Sequence, residues 1–599
     1  MELNELSLDI ASLLEGYSEG SFTPADVIET IQARIKRQPN HNAWITKLSD
    51  VQIQEYLDAL GPVDIKAKPL YGIPFAIKDN IDLAAVPTTA ACEEYAYTPD
   101  ESAFLVQCLI DAGAIPVGKT NLDQFATGLV GARSPYGAGH NSFNYDYISG
   151  GSSSGSAISL AMGQVSFSLG TDTAGSGRVP AAFNNLVGLK PTKGWLSTSG
   201  VVPACRSLDC VSVFALCAAD AQRVLDVAGQ FDAADEYARP APSSEPAFDA
   251  GNFSFAVPRE EQLEFFGNEE GRQLFYKAVT QLEALGGKKQ EIDFEPFLES
   301  ARLLYEGPWV SERYVAIESF IKEQADAVFP VTRGIIEGGE HPSAADAFRS
   351  QYRLATLKRK TDPVWAEVDF ILTPTAGRCY TIEEVEAEPV QLNSNLGYYT
   401  NFMNLLDFSA LAVPAGFQSD GLPFGVTLFA PAFADRALLN VGDRLHRVLA
   451  TTQGATGLPL PEAVSQQPLA PGWTRVAVCG AHLSGLPLNY QLTERGAYLL
   501  EQTHSSEHYR LYALPGGPPY RPGMLRDEGG AAIEIEIWAI PLDQFGSFVA
   551  GIPAPLGIGM LETAAGEWVQ GFICESFAVA EATEITGLGG WRAYLEQQS

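Results

Sequence analysis

Gly150-Gly151-Ser152-Ser153-Ser154-Gly155-Ser156-Ala157, then an apolar segment from Ile158 to Leu169, then Gly170-Thr171-Asp172-Thr173-Ala174-Gly175-Ser176-Gly177-Arg178: the reading of this stretch decides the rest of the 599-residue chain. Two glycine-bounded serine loops bracket one apolar element, with Ser152 and Ser176 24 positions apart. A serine nucleophile needs a tight turn that exposes its oxygen, N–H groups aimed at a developing oxyanion, and a base for its proton. Gly175 and Gly177 flank Ser176 and permit such a turn, since glycine tolerates positive φ and close backbone approach. A flexible Gly/Ser linker has a similar composition. Apolar segments of helical and strand character on both sides argue against a linker here.

Upstream, Leu70-Tyr71-Gly72-Ile73-Pro74-Phe75-Ala76-Ile77-Lys78-Asp79-Asn80 reads as an apolar strand ending in a lysine. Taken alone, Lys78 is an ordinary solvated lysine at a strand end. The three motifs together resemble the amidase signature family, from the first helix to about residue 450. The resemblance implies a Ser–cis-Ser–Lys triad, with Ser176 the nucleophile, Ser152 the cis-peptide serine and Lys78 the base. It also implies an oxyanion hole from the N–H groups of Thr173, Ala174, Gly175 and Ser176, and an acyl pocket lined by Gly128 of the Gly128-Leu129-Val130-Gly131 loop. A basic lysine must be neutral, so its pKa must fall well below ~10.4. Burial without a carboxylate in contact does that. Ser154 and Ala174 replace glycines of the commonest family pattern; both are small and point to a particular branch.

The composition bounds the chain to two or three domains of a packed enzyme, with 46% hydrophobic and 19% charged residues. A formal net charge of −34 argues against nucleic acid or an anionic membrane as a partner. Eight cysteines without a CxxC pair read as buried thiols in a reducing compartment. With no apolar leader core and no uncharged apolar run near ~20 residues, the expected location is the cytoplasm. No histidine spacing suits a metal, so neither metal nor other cofactor is expected.

In chain order, residues 7–16, 24–37 and 51–60 carry helical periodicity, with Thr23 and Pro24 as N-cap and first-turn proline. Residues 1–60 are expected to form a helical cover that, by the resemblance, helps homodimer formation. A helix from 102 to 112, a strand and turn at 114–121 and a helix starting over 123–127 follow. Strand-like and helix-like segments alternate to about residue 450. The expected fold class is α/β: three layers, α/β/α, around a large mixed twisted β-sheet. Residues 1–455 are assigned to it. Proline-rich residues 456–471 read as a linker. Residues 472–599, with β-type runs at 474–479, 509–514 and 532–540, read as a second, smaller α+β domain.

Leu304-Tyr305-Glu306-Gly307-Pro308-Trp309-Val310-Ser311-Glu312-Arg313-Tyr314 bears on the substrate. Tyr305 and Arg313 are eight positions apart, about two turns of a helix if the segment is helical. Arginine can grip a carboxylate with two parallel hydrogen bonds. A surface network of Arg313 with Glu312 or Glu306 is the competing reading. This run, the two serine-loop variants and the extra domain resemble the allophanate hydrolase branch of the family. That resemblance implies Tyr305 and Arg313 as substrate ligands and a small-molecule substrate, allophanate (urea-1-carboxylate), from urea or cyanuric acid breakdown.

Val476 to Gly485 places His482 in a glycine-bounded turn after a strand and resembles the γ-glutamyl-cyclotransferase-like C-terminal domain of that branch. His482 is its candidate residue, a neutral imidazole for moving a proton during decarboxylation of the first product. Glu534 and Glu536 share strand parity, and one of them is a candidate for the same cavity. A hydrogen-bonded turn histidine and a solvated glutamate face are the plainer alternatives, with the domain a binding or dimer-forming module. For the whole chain the alternatives are a glutamine-hydrolysing subunit of a tRNA amidotransferase and a general small-amide amidase.

Overall fold

The first unit owes its architecture to short apolar runs, which cannot reach helical length and pair instead into one sheet. In the computed structural model, which describes residues 6–242, 245–246, 248, 252–461, 469 and 472–598, eleven strands make this sheet. They are β1 (Trp44–Lys47), β2 (Pro74–Lys78), β3 (Ile115–Thr120), β4 (Phe167–Thr171), β5 (Val187–Lys190), β6 (Val211–Ala215), β7 (Ser254–Pro258), β8 (Lys288–Ile292), β9 (Phe370–Pro374), β10 (Phe408–Phe417) and β11 (Pro423–Pro431). Their order is β1-β3-β2-β4-β6-β5-β10-β11-β9-β7-β8. Pairing is mixed: β2 runs parallel to β3 and β4, and β7 parallel to β8 and β9, while β5, β6, β10 and β11 pair antiparallel. Every residue of β2, β4, β5 and β6 is buried. Strands covered on both faces read as unbroken apolar runs for this reason. This is the α/β fold with a large mixed sheet expected from the sequence.

The N-terminal segment carries helices Ile10–Glu19, Pro24–Arg37 and Asp50–Leu60. Thr23 and Ser49 close capping boxes with Asp26 and Gln52, each cap contributing about 1 kcal/mol. It is not wholly helical: β1 lies between them, antiparallel to β3, a four-residue strand too short to leave a periodic signal.

The chain divides into two compact units, Met1–Ala241 with Asn252–Ala463, and Pro242–Gly251 with Val464–Ser599. Of the expected linker, residues 456–461 are tied to the first unit: Thr452 bridges Pro459, and Arg447 donates to the Pro461 carbonyl. Residues 462–468, 470 and 471 lie outside the described residues.

The second unit has a five-stranded sheet of β12 (Trp473–Val478), β13 (Tyr498–His504), β16 (Glu534–Pro541), β17 (Leu556–Glu562) and β18 (Trp568–Cys574), ordered β13-β16-β12-β18-β17. A three-stranded sheet combines β14 (Tyr509–Ala513), β15 (Pro522–Arg526) and β19 (Thr583–Glu584). Trp538, Leu511, Ile535 and Trp591 belong to its buried core. Among the described residues, no helix is long and apolar enough to cross a membrane.

Candidate active site

Because the neighbouring strands β2 and β4 run parallel, their last residues, Lys78 and Thr171, emerge side by side at the same end of the two strands. The Gly150–Ser153 loop, which opens the helix Ser154–Ala161, faces them. Lys78 Nζ donates to Ser152 Oγ at 2.7 Å and to Thr171 Oγ1 at 2.6 Å. Lys78 is fully buried and, among the described residues, in no ion pair. Burial brings its pKa from 10.5 down to about 7, against the pull of Asp123, Asp209 and Asp172 and with the help of Arg313. The solvated-lysine reading is therefore overturned. The Gly151–Ser152 peptide is cis. A Cβ on Gly151 would overlap the Asp123 carboxylate and the Gly131 amide, so this position requires glycine.

Ser176 is buried in the loop after β4, and its Oγ donates to the Gly128 carbonyl at 3.4 Å. No hydrogen bond joins it to Ser152. Among the described residues, none of the N–H groups of Thr173, Ala174, Gly175 and Ser176 donates to another group of the chain. The loop is held from behind. Asp172 accepts from Arg178 Nε (2.8 Å), Arg178 Nη2 (2.9 Å) and the Gly177 amide (3.1 Å). Burial pushes the Asp172 carboxyl up, but Arg178 outweighs it and holds the group below the ordinary range. Asn404 Nδ2 donates to the carbonyls of Asp172 and Thr173, and Thr173 Oγ1 donates to Asp209. Gly175 has φ +139°, and a Cβ there would overlap Thr400.

The helix expected to start over 123–127 is not formed. Gln124–Ala126 is a single 3-10 turn, with Phe125 and Ala126 at φ +51° and +52°. The reason is Asp123, whose buried carboxylate accepts from the amides of Val130, Gly131 and Arg133 and so folds the chain back on itself. The turn delivers Gly128 to Ser176 and Thr127 to Arg313. Arg313 Nη1 donates to Thr127 Oγ1 at 3.0 Å and to the Ala126 carbonyl at 3.4 Å.

Tyr305 and Arg313 do not share one helix. Gly307 and Pro308 separate Glu295–Glu306 from Trp309–Ala316, as a proline lacking an N–H dictates. The side chains still meet, with the Arg313 guanidinium carbon 5.7 Å from the Tyr305 ring centre. The surface-network reading fails: Arg313 is 3% exposed, and Glu312 instead accepts from the Ser207 amide and hydroxyl. Among the described residues Arg313 has no carboxylate partner.

Lys78 thus meets Ser152 and Thr171, Ser176 meets Gly128, and Arg313 meets Tyr305 and the residue before Gly128, Thr127. Thr171, Asp123, Thr127, Asp172, Arg178 and Asn404 were not singled out from sequence. Asp172 and Arg178 had one available signal, opposite charges inside a glycine-rich loop six positions apart.

His482 belongs to the second unit. It lines a cavity of about 340 Å³ with Cys479, Gln491, Arg521 and Phe572 among its walls. Its Nε2 is 3.0 Å from Gln491 Oε1, its ring stacks 5.0 Å from Phe572, and burial lowers its pKa. Neither glutamate of β16 lines this cavity. Glu536 is buried against Ser484, Trp538, Gln502 and Arg592, and Glu534 also pairs with Arg592.

A buried amine, two serines and a ring of free N–H groups make a site for acyl transfer. The amidase family model matches residues 26–439, and the chain belongs to the amidase family. The allophanate hydrolase C-terminal domain model matches 474–596. The chain is similar along its whole length to solved Kluyveromyces lactis allophanate hydrolase, with 43% identity, 99% of each chain covered and a TM-score of 0.82. It is 46% identical over 597 residues to the urea amidolyase of Saccharomyces cerevisiae (97% of this chain, 32% of that protein) and 44% identical over 599 residues to that of Lachancea kluyveri (96% and 33%). The chain spans about a third of the length of these two relatives.

Proposed function

We propose that this chain hydrolyses allophanate, with Ser176 as nucleophile, Ser152 as relay and Lys78 as base. Neutral Lys78 takes the Ser152 proton as Ser152 takes that of Ser176. The relay requires Ser176 Oγ to turn from the Gly128 carbonyl toward Ser152; such contacts commonly tighten only when substrate is bound. Ser176 Oγ then bonds to the amide carbon, and the carbonyl oxygen becomes an oxyanion facing the N–H groups of Thr173, Ala174, Gly175 and Ser176. Each donor of this kind is worth ~3 kcal/mol in the transition state. The C–N bond breaks, the nitrogen takes the proton from the relay, and ammonia leaves. Water cleaves the acyl-enzyme to N-carboxycarbamate, which loses one carbon dioxide to give carbamate; carbamate takes up a proton and releases the second carbon dioxide and ammonia.

One observation carries the choice of substrate: Arg313 is buried beside the acyl pocket with no carboxylate partner among the described residues. A buried unpaired cation is expensive. A substrate with its own carboxylate supplies the missing partner, in bidentate form. Tyr305, packed against the guanidinium, offers its hydroxyl to the same end. The deciding experiment compares steady-state ammonia release from allophanate, urea, biuret, malonamate and glutamine. Allophanate is expected to lead, and Ser176→Ala to abolish release; preference for a neutral amide would remove the clamp.

The supply of substrate is proposed to be urea carboxylation, in keeping with the names of the two long relatives. A cytoplasmic location is supported by eight cysteines that are all unpaired, seven of them buried. Assembly as a homodimer through the N-terminal helices is proposed by family resemblance, and the net charge of −34 weighs against nucleic acid or membrane as a partner. Residues 472–599 are proposed to be a domain of their own, acting on the first product.

A further inference from the structure

Asp123 is the residue at which separate parts of the acyl-transfer site join. Its amide donates to the Ser152 carbonyl at 3.0 Å. Its carboxylate accepts from the amides of Gly131 and Arg133, both at 2.9 Å, and from that of Val130 at 3.2 Å. The Gly151 amide, next to Ser152, in turn donates to the Leu129 carbonyl at 2.9 Å. The loop that bears Ser152 and the turn that bears Gly128, whose carbonyl accepts from Ser176, are therefore tied to each other through this one residue. The fit is close, since a Cβ added to Gly128 or to Gly151 would overlap Asp123 Oδ2.

Asp123 is fully buried, and both of its oxygens accept N–H groups, which favour the ionised form. Burial pushes its carboxyl up, while Arg133, the amides of Gly131 and Arg133, and Lys78 draw it back. The Arg133 guanidinium acts from a distance. It donates to the carbonyls of Thr127 (2.9 Å) and Pro389 (2.6 Å), and among the described residues it forms no ion pair with Asp123. Of the charges around Lys78, Asp123 pulls hardest, followed by Asp209 and Asp172, with Arg313 opposing them. Asp79, beside Lys78 in the chain, is already paired with Lys119 at 3.1 Å. Burial alone makes an amine a poor proton acceptor, and a base works best when its pKa lies near the working pH. A carboxylate close by but out of contact restores part of that basicity without the ion pair that would keep the amine protonated.

We propose that Asp123 is a positioning residue of the relay: it holds Ser152 in register with the acyl-pocket turn and supplies the nearby negative charge that lets the buried Lys78 take a proton. With Lys78 as the base, this rests on the function proposed above.

The charge is read on the full chain, carbon-labelled at lysine Cε and without substrate, by the NMR titration of Lys78, its resonance assigned by its loss in Lys78→Met. The unsubstituted chain is expected to titrate at about 7. Asp123→Asn keeps one oxygen for the amides and is expected to bring the midpoint down by about one pH unit. The same variant should lower kcat/KM for ammonia release about tenfold or more, through a weaker base and a looser register. A carboxylate with a structural task alone would lower activity and leave the midpoint in place. Arg133→Gln leaves Asp123 where it is and removes the charge that opposes it, so the midpoint is expected to move upward; this arm stands if Asp123→Asn does not fold. An unmoved midpoint in either folded variant, or undiminished ammonia release by folded Asp123→Asn, overturns the proposal. Failure of the allophanate reading is seen separately, in ammonia release by the unsubstituted chain, because the lysine titration needs no substrate.

Discussion

Replacing Lys78 with methionine tests the base assignment in two independent ways. Burial holds the amine at about 7 when folded, against 10.5 when solvated. At ~1.36 kcal/mol per pH unit, that difference amounts to about 5 kcal/mol of lost stability once both states are protonated. The sign follows from proton counting. Between pH 7 and 10.5 the unfolded chain binds a proton that the folded chain does not, so stability rises with pH across this window. The penalty is about 4 kcal/mol at pH 7 and only about 1 kcal/mol at pH 9.5.

Methionine removes that penalty but leaves the hydroxyls of Ser152 and Thr171 without their partner, at about 1–2 kcal/mol each. Lys78→Met is therefore expected to be about 1 kcal/mol more stable than the parent at pH 7 and about 2 kcal/mol less stable at pH 9.5, while releasing no ammonia. Pulse proteolysis in urea, scored on fragments of the first unit, reads the stability difference at each pH. In the parent, log kcat/KM for ammonia release should rise with unit slope below about pH 7 and level off above it, as a neutral base requires. A stability gap that does not change between pH 7 and 9.5, or an activity profile flat through neutrality, would refute the neutral buried amine and the relay built on it.

Arg313→Ala should lower kcat/KM for allophanate by about 10²–10³, the worth of a bidentate charged contact, with thermal unfolding little changed; Arg313→Lys should recover part of the loss. Asp172→Asn leaves the buried Arg178 charge unmatched and is expected to cost about 3–5 kcal/mol, measured as a lowered urea midpoint together with lost ammonia release. Thr127→Val should raise KM more than it lowers kcat, because it frees Arg313 Nη1 without touching Ser176 or Lys78.

What could be read from the sequence, and what could not, divides along a physical line. Signals local to a few residues were legible: the Thr23 cap, the unbroken apolar strand into Lys78, and the glycines around Ser176. Each is a constraint that the backbone enforces within one or two turns. Lys78 shows where local reading stops. Its neutrality is set by β2 being wholly buried and by Thr171 and Ser152 arriving from elsewhere in the chain, and no window around residue 78 contains that information. The misread helix at 123–127 has the same origin, since Asp123 is claimed by three amides seven to ten residues onward, a tertiary demand that overrides helix propensity. Tyr305 and Arg313 were paired on an assumed helical spacing that Pro308 breaks, yet they meet because two helices bring them together. Arg313 carries the argument further. What marks it is the absence, among the described residues, of a carboxylate partner in a buried place, a property of all the neighbours at once and not of any window of sequence.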